Sequence, residues 1–405
     1  MRILLVSMSA FHPDVNHYYP LSLGALKSFL NLYTKHEIEC RNFFNVDSNI
    51  ALEQFKEVLT LFNPDLVGFN CLTMNRWSTC EAVKIVKNWN FNAITVLGGY
   101  HATVMSEQLL KNFPIDFIVR GEGEIAFLTL LDNLDKVDLK TWWSKTSIDM
   151  DYLPISDHSY ARDWIIKNKL AHIVTSRGCP GQCSFCATRV FWGSQVRMRS
   201  ASLVVDEIEM LVELYKIEEL LFHDDVFNFS PARCVAISEE IIKRNIKIRW
   251  KCIGRVYPIN REMLEVMKKS GCYLIMFGIE SASDSVMKEM GKGITKEQIW
   301  KCFDLCADVS IGTTAFMMLG LPNETDETID ETRKFMLTLP MKEYPATGLT
   351  FVYPGTKLYE RCKEHGIISD NYWLENKDDF VYEEQAPLAK LYGWGGKISG
   401  AGKLI

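Results

Sequence analysis

Three cysteines lie close together near the middle of the chain, in the stretch TSRGCPGQCSFC at residues 175–186. Pro180 and Gly181 disfavour a helix here, so we expect a loop that curls the three thiols around one metal centre. The loop follows a short apolar run, residues 173–175, which predicts a buried strand. Whatever this chain folds into must therefore present a metal-binding loop at the end of a strand.

Cysteine thiolates are the ligands of iron–sulfur clusters, which usually take four of them. Here the next cysteine downstream is Cys234, far along the chain. Three ligands would leave one metal position open, as a catalytic metal site requires. The alternatives are a zinc knuckle or a chance grouping. Zinc needs a fourth Cys or His at short spacing, and none follows Cys186 before His223.

Length and composition narrow the possibilities. The chain has 405 residues, 47% of them hydrophobic, which is enough for roughly two or three domains with substantial cores. A net charge of −6 gives no overall basic footprint for nucleic acid. The short apolar start predicts a strand rather than a signal peptide, and no stretch approaches a membrane span. Twelve cysteines without a secretion signal indicate a reducing, cytoplasmic location.

Residues 1–148 alternate strand-like and helix-like stretches, which predicts a doubly wound, Rossmann-like parallel sheet. The predicted strands are 2–7, 37–43, 65–70, 93–97 and 115–119, and the predicted helices are 22–32, 50–62, 77–89, 106–112 and 124–134. Ligands of such sheets bind beyond the carboxyl ends of the strands. Residues 149–168, with Pro154 and several aspartates, are predicted to be a linker.

Residues 169–360 begin a second α/β series. The predicted strands are 172–175, 220–223, 247–252, 273–277, 313–319 and 348–352, and the predicted helices are 203–215, 231–244, 261–270, 296–308 and 325–337. This pattern predicts an open, partial (β/α)6 barrel, whose chemistry lies at the carboxyl ends of its strands. Residues 361–405 form a C-terminal extension, and its glycine-rich end predicts a flexible chain.

The cysteine stretch resembles the signature of the radical S-adenosylmethionine (SAM) superfamily, Cys-x-x-x-Cys-x-aromatic-Cys. Cys179, Cys183, Phe185 and Cys186 match it. The resemblance implies that the three cysteines hold a four-iron four-sulfur cluster whose open iron binds SAM. Reductive cleavage of SAM then gives a 5′-deoxyadenosyl radical, with the electron coming from a donor such as flavodoxin or ferredoxin.

SAM needs a cation for its carboxylate, acceptors for its ribose hydroxyls and an apolar slot for its adenine. Polar residues at the predicted strand ends could meet these needs. Arg255 is a carboxylate partner in this interpretation, and Glu280 is a ribose contact. Ordinary loop packing or helix capping is the alternative for each residue. The candidate SAM-binding residues are Phe185, Asp225, Arg255, Glu280, Ser281 and Leu321.

The stretch VLGGYHATVMSEQLL at 96–110, followed by IDFIVRGEGE at 115–124, resembles the cobalamin-binding domain found before many radical SAM enzymes. GIESASDSVMKEMGKGIT and YPGTKLY, further along, resemble the same cobalamin-dependent branch. By this resemblance the glycine pair lines the pocket for the dimethylbenzimidazole tail. The candidate cobalamin-binding residues are Asn70, Thr73, Gly98, Gly99, Tyr100, Gly121 and Glu122.

One departure concerns the lower ligand of cobalt. Cobalamin domains of the mutase type carry Asp-x-His-x-x-Gly after the second strand, whereas this chain has NVDSN at 45–49 and no histidine there. The lower face of cobalt would then lack a histidine ligand, and a domain that binds no cobalamin is the alternative. His12, His17 and His101 are the nearest other candidates in this domain, and ordinary loop or surface histidines are favoured over cobalt ligands for each of them.

These resemblances imply a cobalamin-dependent radical SAM methyltransferase. It would act on an unactivated carbon or phosphorus centre through the 5′-deoxyadenosyl radical and methylcobalamin. Its substrate would be a small molecule or a peptide. The first alternative is a cyclisation, a rearrangement or transfer of another SAM-derived group. The second is a non-catalytic cobalamin-binding or sensing protein.

Overall fold

The computed structural model describes residues 1–10, 19–134, 139–144, 147–341 and 345–400. The chain divides into two compact units. The first contains Met1–Trp164 and a later segment, Tyr359–Asp379. The second contains Ile165–Leu358 and the residues that follow Asp379. Most of the predicted linker therefore belongs to the first unit, as does the first part of the predicted C-terminal extension.

The first unit is built on a six-stranded parallel sheet with strand order β2-β1-β3-β4-β5-β6. Its strands are β1 (Arg2–Ser7), β2 (Glu37–Asn42), β3 (Leu66–Asn70), β4 (Ile94–Gly98), β5 (Phe117–Arg120) and β6 (Thr141–Trp143). Its helices are α1 (Leu21–Tyr33), α2 (Ser48–Phe62), α3 (Arg76–Trp89), α4 (Tyr100–Val104), α5 (Ser106–Asn112) and α6 (Gly123–Leu131). The predicted Rossmann-like class is confirmed.

The apolar runs of the central strands explain this arrangement. Every residue of β1 from Ile3 onwards is buried, as expected of a strand covered by helices on both faces. Leu5 and Val96 pack with Leu30 and Phe127 in one core cluster beneath α1 and α6. Burying such side chains stabilises the fold by about 1.5–3 kcal/mol each.

The second unit is built on a second parallel sheet, with order β14-β13-β12-β11-β10-β7. Its strands are β7 (Leu170–Ile173), β8 (Ser176–Arg177), β9 (Arg197–Met198), β10 (Glu219–Phe222), β11 (Arg249–Gly254), β12 (Cys272–Glu280), β13 (Gly312–Leu319) and β14 (Ala346–Leu349). Its helices are α7 (Arg162–Asn168, entered from the first unit), α8 (Thr188–Trp192), α9 (Ala201–Tyr215), α10 (Pro231–Lys243), α11 (Arg261–Lys269), α12 (Asp284–Met290), α13 (Lys296–Asp308) and α14 (Asp326–Met336). The open (β/α)6 half-barrel is confirmed, and β8 and β9 add a small antiparallel pair.

The chain ends with two further helices, α15 (Lys357–Glu364) and α16 (Leu388–Ser399). The glycine-rich end was predicted to be flexible, yet α16 is a helix that buries Leu391, Trp394 and Ile398. It packs on α14 and β14. The prediction was wrong for this helix because its apolar residues recur at helical spacing and bury one face, which outweighs the low helix propensity of glycine.

No helix among the described residues is both long and apolar enough to cross a membrane.

Candidate functional site

The cysteine loop starts at the carboxyl end of β7, where a single buried carboxylate holds it. Asp224, just after β10, accepts hydrogen bonds from the backbone N–H of Thr175 at 2.6 Å and of Ser176 at 3.1 Å. The hydroxyls of the same two residues donate to its second oxygen at 2.6 and 2.8 Å. Asp224 therefore joins two neighbouring strand ends and fixes the direction in which the chain enters the loop.

Gly178 lets the chain turn into the loop. Its φ of +99° is a conformation that favours glycine. A β-carbon at Gly178 would also collide with the backbone carbonyl of Gln195, brought close by the pairing of β8 with β9. The loop therefore needs glycine at this position for two independent reasons.

The three predicted cluster ligands differ in exposure from every other cysteine of the chain. None of the twelve cysteines, all of which lie in the described residues, forms a disulfide, and only Cys179, Cys183 and Cys186 are partly exposed, whereas the rest are buried. Burial raises the pKa of the Cys183 thiol, and the positive charge of Lys292 opposes that rise. Reachable thiols next to a cation suit a metal site.

No group of His, Cys, Asp or Glu side chains in the described part of the chain converges as the ligands of a single metal ion do. Iron–sulfur clusters are held by cysteine thiolates, and the three partly exposed thiols of this one loop fit that donor set.

Arg255, predicted as a carboxylate partner for SAM, lies against the cysteine loop. A β-carbon at Gly181 would be 2.6 Å from Arg255 Nη1 and 3.3 Å from Cys179 Sγ. The backbone N–H of Arg255 donates to Asn228 Oδ1 at 2.9 Å, and its Nη2 donates to the backbone carbonyl of Lys292 at 2.8 Å. The guanidinium is thus held beside the first cysteine.

Glu280, predicted as a ribose contact, forms a buried ion pair at the end of β12. Its Oε1 lies 2.7 Å from Lys292 Nζ, and each of the two side chains is about one-tenth exposed. Glu280 has a φ of +70°, and the register between β12 and β13 shifts beside it. The structure therefore brings Glu280 and Arg255 together around Lys292, which the sequence reasoning did not single out.

The other SAM candidates are placed differently. Asp225 accepts a hydrogen bond from Thr188 Oγ1 at 2.7 Å, and burial raises the pKa of its carboxyl. Phe185 is half-buried within the cysteine loop. Ser281 is fully buried, and its hydroxyl accepts a hydrogen bond from the backbone N–H of Ser283 at 3.2 Å. Leu321 is also fully buried, in the turn after β13.

That turn after β13 contains a buried acid that the sequence reasoning missed. Glu324 accepts hydrogen bonds from the backbone N–H of Gly320 at 2.6 Å and of Leu321 at 3.3 Å. Burial raises the pKa of its carboxyl to about 7, against the opposing effect of these two donors.

In the first unit, the loops that follow β3, β4 and β5 leave adjacent strands of the sheet. Gly99 has a φ of +95°, and a β-carbon there would be 2.8 Å from Asn70 Oδ1 and 2.9 Å from the carbonyl of Cys71. The backbone N–H of Gly121 donates a hydrogen bond to Thr103 Oγ1 at 2.9 Å. The predicted cobalamin residues Asn70, Gly98, Gly99 and Gly121 therefore share one edge of the sheet, as a cobalamin site on a doubly wound sheet requires.

Thr73 and His101 belong to a buried cluster at this edge. His101 Nδ1 lies 3.3 Å from Thr73 Oγ1, and the imidazole contacts the Trp373 ring edge to face. Burial, reinforced by the charge of Arg76, lowers the pKa of His101 to about 3, so the ring is neutral at physiological pH. His12 and His17, the other cobalt-ligand candidates, lie outside the described residues.

The remaining two candidates stand at the starts of helices. Tyr100 is the first residue of α4, and Glu122 is the N-cap of α6. Beside Gly121, where a β-carbon would be 3.5 Å from Trp143 Nε1, the Trp143 side chain is 69% exposed and the Arg120 guanidinium lies 5.8 Å from its ring centroid.

Comparison with known proteins identifies both cofactor domains. Residues 173–336 match the model of the radical SAM superfamily, and residues 16–131 match the model of the B12 binding domain. The chain belongs to the cobalamin-dependent radical SAM enzymes. Its cofactors are accordingly a [4Fe–4S] cluster, S-adenosylmethionine and cobalamin, as the sequence predicted.

Several known proteins align with most of the chain. An uncharacterized methyltransferase of Pyrococcus horikoshii is 29% identical over 395 residues, which cover 92% of this chain and 83% of that protein. The anaerobic magnesium-protoporphyrin IX monomethyl ester cyclase of Rubrivivax gelatinosus is 32% identical, over 71% of this chain and 56% of that protein.

Solved structures share the fold. The radical SAM methyltransferase TsrM from Kitasatospora setae superposes with a TM-score of 0.77 at 20% identity, covering 90% of this chain and 76% of that one. The cobalamin-dependent radical SAM enzyme OxsB superposes with a TM-score of 0.70 at 19% identity, covering 96% of this chain and 57% of that one.

Proposed function

We propose that this radical SAM enzyme is a methyltransferase acting on an unactivated carbon or phosphorus centre. The observation that carries the proposal is the match to the Pyrococcus horikoshii protein, described as a methyltransferase, over 83% of its length. The cytidylyl-2-hydroxyethylphosphonate methyltransferase of Streptomyces wedmorensis is matched over 82% of its length at 24% identity. The Rubrivivax gelatinosus cyclase is matched over only 56% of its length.

In this proposal Cys179, Cys183 and Cys186 hold the cluster, which when bound supplies the electron that cleaves SAM. Arg255 binds the SAM carboxylate with its guanidinium, because that group already lies beside the cysteine loop. Glu280 accepts hydrogen bonds from the ribose hydroxyls, and Asp225 orients SAM or the substrate. Phe185, Ser281 and Leu321 shape the surroundings of the nucleoside.

The cobalamin site of the proposal lies at the carboxyl edge of the first sheet. Gly98, Gly99 and Gly121 keep the backbone there free of side chains, so that a bulky ligand can approach it. Asn70, Thr73, Tyr100 and Glu122 supply polar groups around it. Cobalamin when bound supplies the carrier for the methyl group. The substrate is a small molecule or a peptide, and an electron donor such as flavodoxin or ferredoxin provides the reductant.

Anaerobic turnover with SAM carrying a deuterated methyl group tests the proposal. The reconstituted enzyme, loaded with iron, sulfide and cobalamin, is incubated with a panel of small molecules and peptides. We expect a product that carries the deuterated methyl group intact, together with S-adenosylhomocysteine and 5′-deoxyadenosine. Steady formation of 5′-deoxyadenosine with a product that contains no deuterium would contradict the assignment as a methyltransferase.

A pair of cysteine variants controls this experiment. Cys183→Ala removes a proposed cluster ligand and is expected to abolish SAM cleavage and lower the iron content. Cys302→Ala removes a thiol that is buried within α13, and it should leave SAM cleavage and the iron content unchanged. A Cys183→Ala protein that still cleaves SAM would show that the cysteine loop does not hold the cluster.

A second candidate reaction is a radical cyclisation. It is favoured by the 32% identity to the magnesium-protoporphyrin IX monomethyl ester cyclase, which is higher than the identity to the Pyrococcus horikoshii protein. Including a porphyrin ester in the substrate panel separates the two reactions, because ring closure removes hydrogen from the substrate and adds no methyl group.

A further inference from the structure

The connection between α12 and α13 packs directly on the cysteine loop. The backbone carbonyl of Met290 accepts a hydrogen bond from the N–H of Ser184 at 2.9 Å. A β-carbon on Gly291 would lie 3.3 Å from the carbonyl of Gln182. Gly291 and Gly293 both have a φ of +68°, which favours glycine. The two glycines therefore shape a tight turn against the loop, with Lys292 between them.

The side chain of Lys292 is turned inwards. It is 9% exposed, and its ammonium lies 2.7 Å from Glu280 Oε1. A β-carbon on Gly278 would be 2.9 Å from Lys292 Nζ, so glycine at that position leaves the space that the ammonium occupies. An ammonium is rarely buried unless it is paired, and here the pairing partner is a proposed SAM contact.

The backbone of Lys292 holds the second proposed SAM contact. Its carbonyl accepts the hydrogen bond from Arg255 Nη2 at 2.8 Å, while Nη1 of the same guanidinium lies over Gly181. One residue thus contacts both Arg255 and Glu280, and its charge also acts on the Cys183 thiol.

We infer that Lys292 is a positioning residue of the cluster and SAM site, fixing the Glu280 carboxylate through its ammonium and the Arg255 guanidinium through its carbonyl. The inference rests on the proposed cluster ligands and SAM contacts, and it is independent of which group the enzyme transfers. Removing the ammonium would leave the Glu280 carboxylate buried without its cation, so the carboxylate would turn away from the ribose.

Binding of SAM to the cluster-loaded enzyme provides the first test. Lys292→Met is expected to raise the dissociation constant of SAM by about tenfold or more, because the carboxylate that accepts the ribose hydroxyls is no longer held. Lys292→Arg keeps the charge and should remain within about threefold of the unchanged enzyme. Equal binding by all three proteins would overturn the inference.

The midpoint potential of the cluster, measured without SAM, provides a readout that a merely structural role would not produce. Lys292→Met removes a positive charge and should make the potential more negative, since adding an electron becomes less favourable. Glu280→Gln removes the paired negative charge and should make the potential more positive. The double variant should return close to the starting value. Shifts of the two single variants in the same direction would overturn the inference.

Lys296→Met is the matched control. Lys296, the first residue of α13, is a cation that pairs with Asp284 of α12 and Glu331 of α14. Its removal should change neither the potential nor SAM binding. If Lys292→Met does not fold, the potential of Glu280→Gln decides the question. A positive shift supports the inference, and an unchanged potential contradicts it. An unchanged enzyme that takes up no iron would instead refute the cluster assignment of the proposed function.

Discussion

At the scale of single residues, the cysteine loop depends on a carboxylate that does not belong to the loop. Asp224 is buried at the end of β10 and accepts four hydrogen bonds from Thr175 and Ser176. Hydrogen bonds to a charged acceptor are stronger than neutral ones, and donors left unpaired in a buried site are costly. The position of the thiols is therefore set partly by the neighbouring strand.

Replacing Asp224 tests this dependence. Asp224→Ala should lower the free energy of unfolding by about 3 kcal/mol, because two buried backbone donors lose their acceptor. It should also reduce the iron bound per chain after reconstitution. Urea unfolding and iron analysis measure the two effects. Asp206→Ala, which removes a partly exposed partner of Arg244, should cost less than about 1 kcal/mol.

A second residue-scale prediction concerns pH. The pKa of Glu324 is raised from 4.5 to about 7, so the folded chain holds this proton more tightly than the unfolded chain. The stabilising effect of that proton is fully present below pH 4.5 and is lost as the pH rises towards 7. Glu324→Gln removes this dependence.

We subtract the unfolding free energy of Glu324→Gln from that of the unchanged protein. Between pH 4.5 and about 7 this difference should fall by up to about 3 kcal/mol. Urea unfolding at a series of pH values measures it. A difference that does not vary with pH would show that Glu324 titrates as an ordinary exposed glutamate.

At the scale of elements, α16 shows how a helix rich in glycine can be well packed. A β-carbon on Gly395 would be 3.0 Å from Leu319 Cδ1 and 3.4 Å from Thr347 Oγ1, so this glycine lets α16 lie close to β13 and β14. Gly393 and Gly396 face open space. The three glycines therefore play different parts in one helix.

Two substitutions in α16 should have opposite effects. Gly396→Ala adds a side chain without a clash and should raise the free energy of unfolding by about 0.5–1 kcal/mol. Gly395→Val overfills the contact with the sheet and should lower it by about 1–3 kcal/mol. Thermal or urea unfolding of the two variants checks the contrast, and stabilisation by both would mean that α16 does not rest on the strands.

The strands that could be predicted are those whose buried residues form a clear apolar run in the sequence. β1 and β13 are apolar along most of their length because both faces of a parallel strand are covered. β6 was missed because it is a three-residue edge strand with exposed residues, and α4 because a five-residue helix shows too little periodicity.

Site residues such as Arg255 and Glu280 were predictable because each is a charged residue at the end of a predicted strand. Lys292 was not predicted, and neither were the hydrogen-bond partners of Asp224, because both residues act through contacts across the fold. Lys292 meets Glu280 from twelve residues away, and Asp224 meets Thr175 from forty-nine residues away. Such pairings depend on sheet topology, which a local pattern in one sequence does not contain.

At the scale of the whole molecule, the segment Tyr359–Asp379 returns to complete the first unit. Arg76 Nη2 donates to the carbonyl of Lys377 at 2.6 Å, and its guanidinium lies 4.9 Å from the Trp373 ring centroid. The Trp373 indole N–H donates to Tyr359 Oη at 3.0 Å. The loop after β3, which carries the proposed cobalamin contact Thr73, is thereby linked to the returning segment.

Trp373→Ala should therefore disturb the first unit. Removing this buried ring is expected to cost about 3–5 kcal/mol and to weaken retention of cobalamin. Hydrogen exchange of β1 and β3 and the visible absorbance of bound cobalamin measure the two effects. Trp300→Ala, at a partly exposed position on α13, should leave both unchanged. Retention of cobalamin by a destabilised Trp373→Ala protein would show that the returning segment supports the fold alone.

The returning segment also bears on how such a gene could recombine. The chain passes from the first unit to the second, back again after Leu358, and out once more after Asp379. A crossover that exchanged only the upstream part of the gene would deliver a cobalamin domain without Trp373 and its neighbours. Successful exchange between relatives would have to carry two separated stretches of coding sequence together, so the two cofactor domains are expected to share one ancestry along the whole gene.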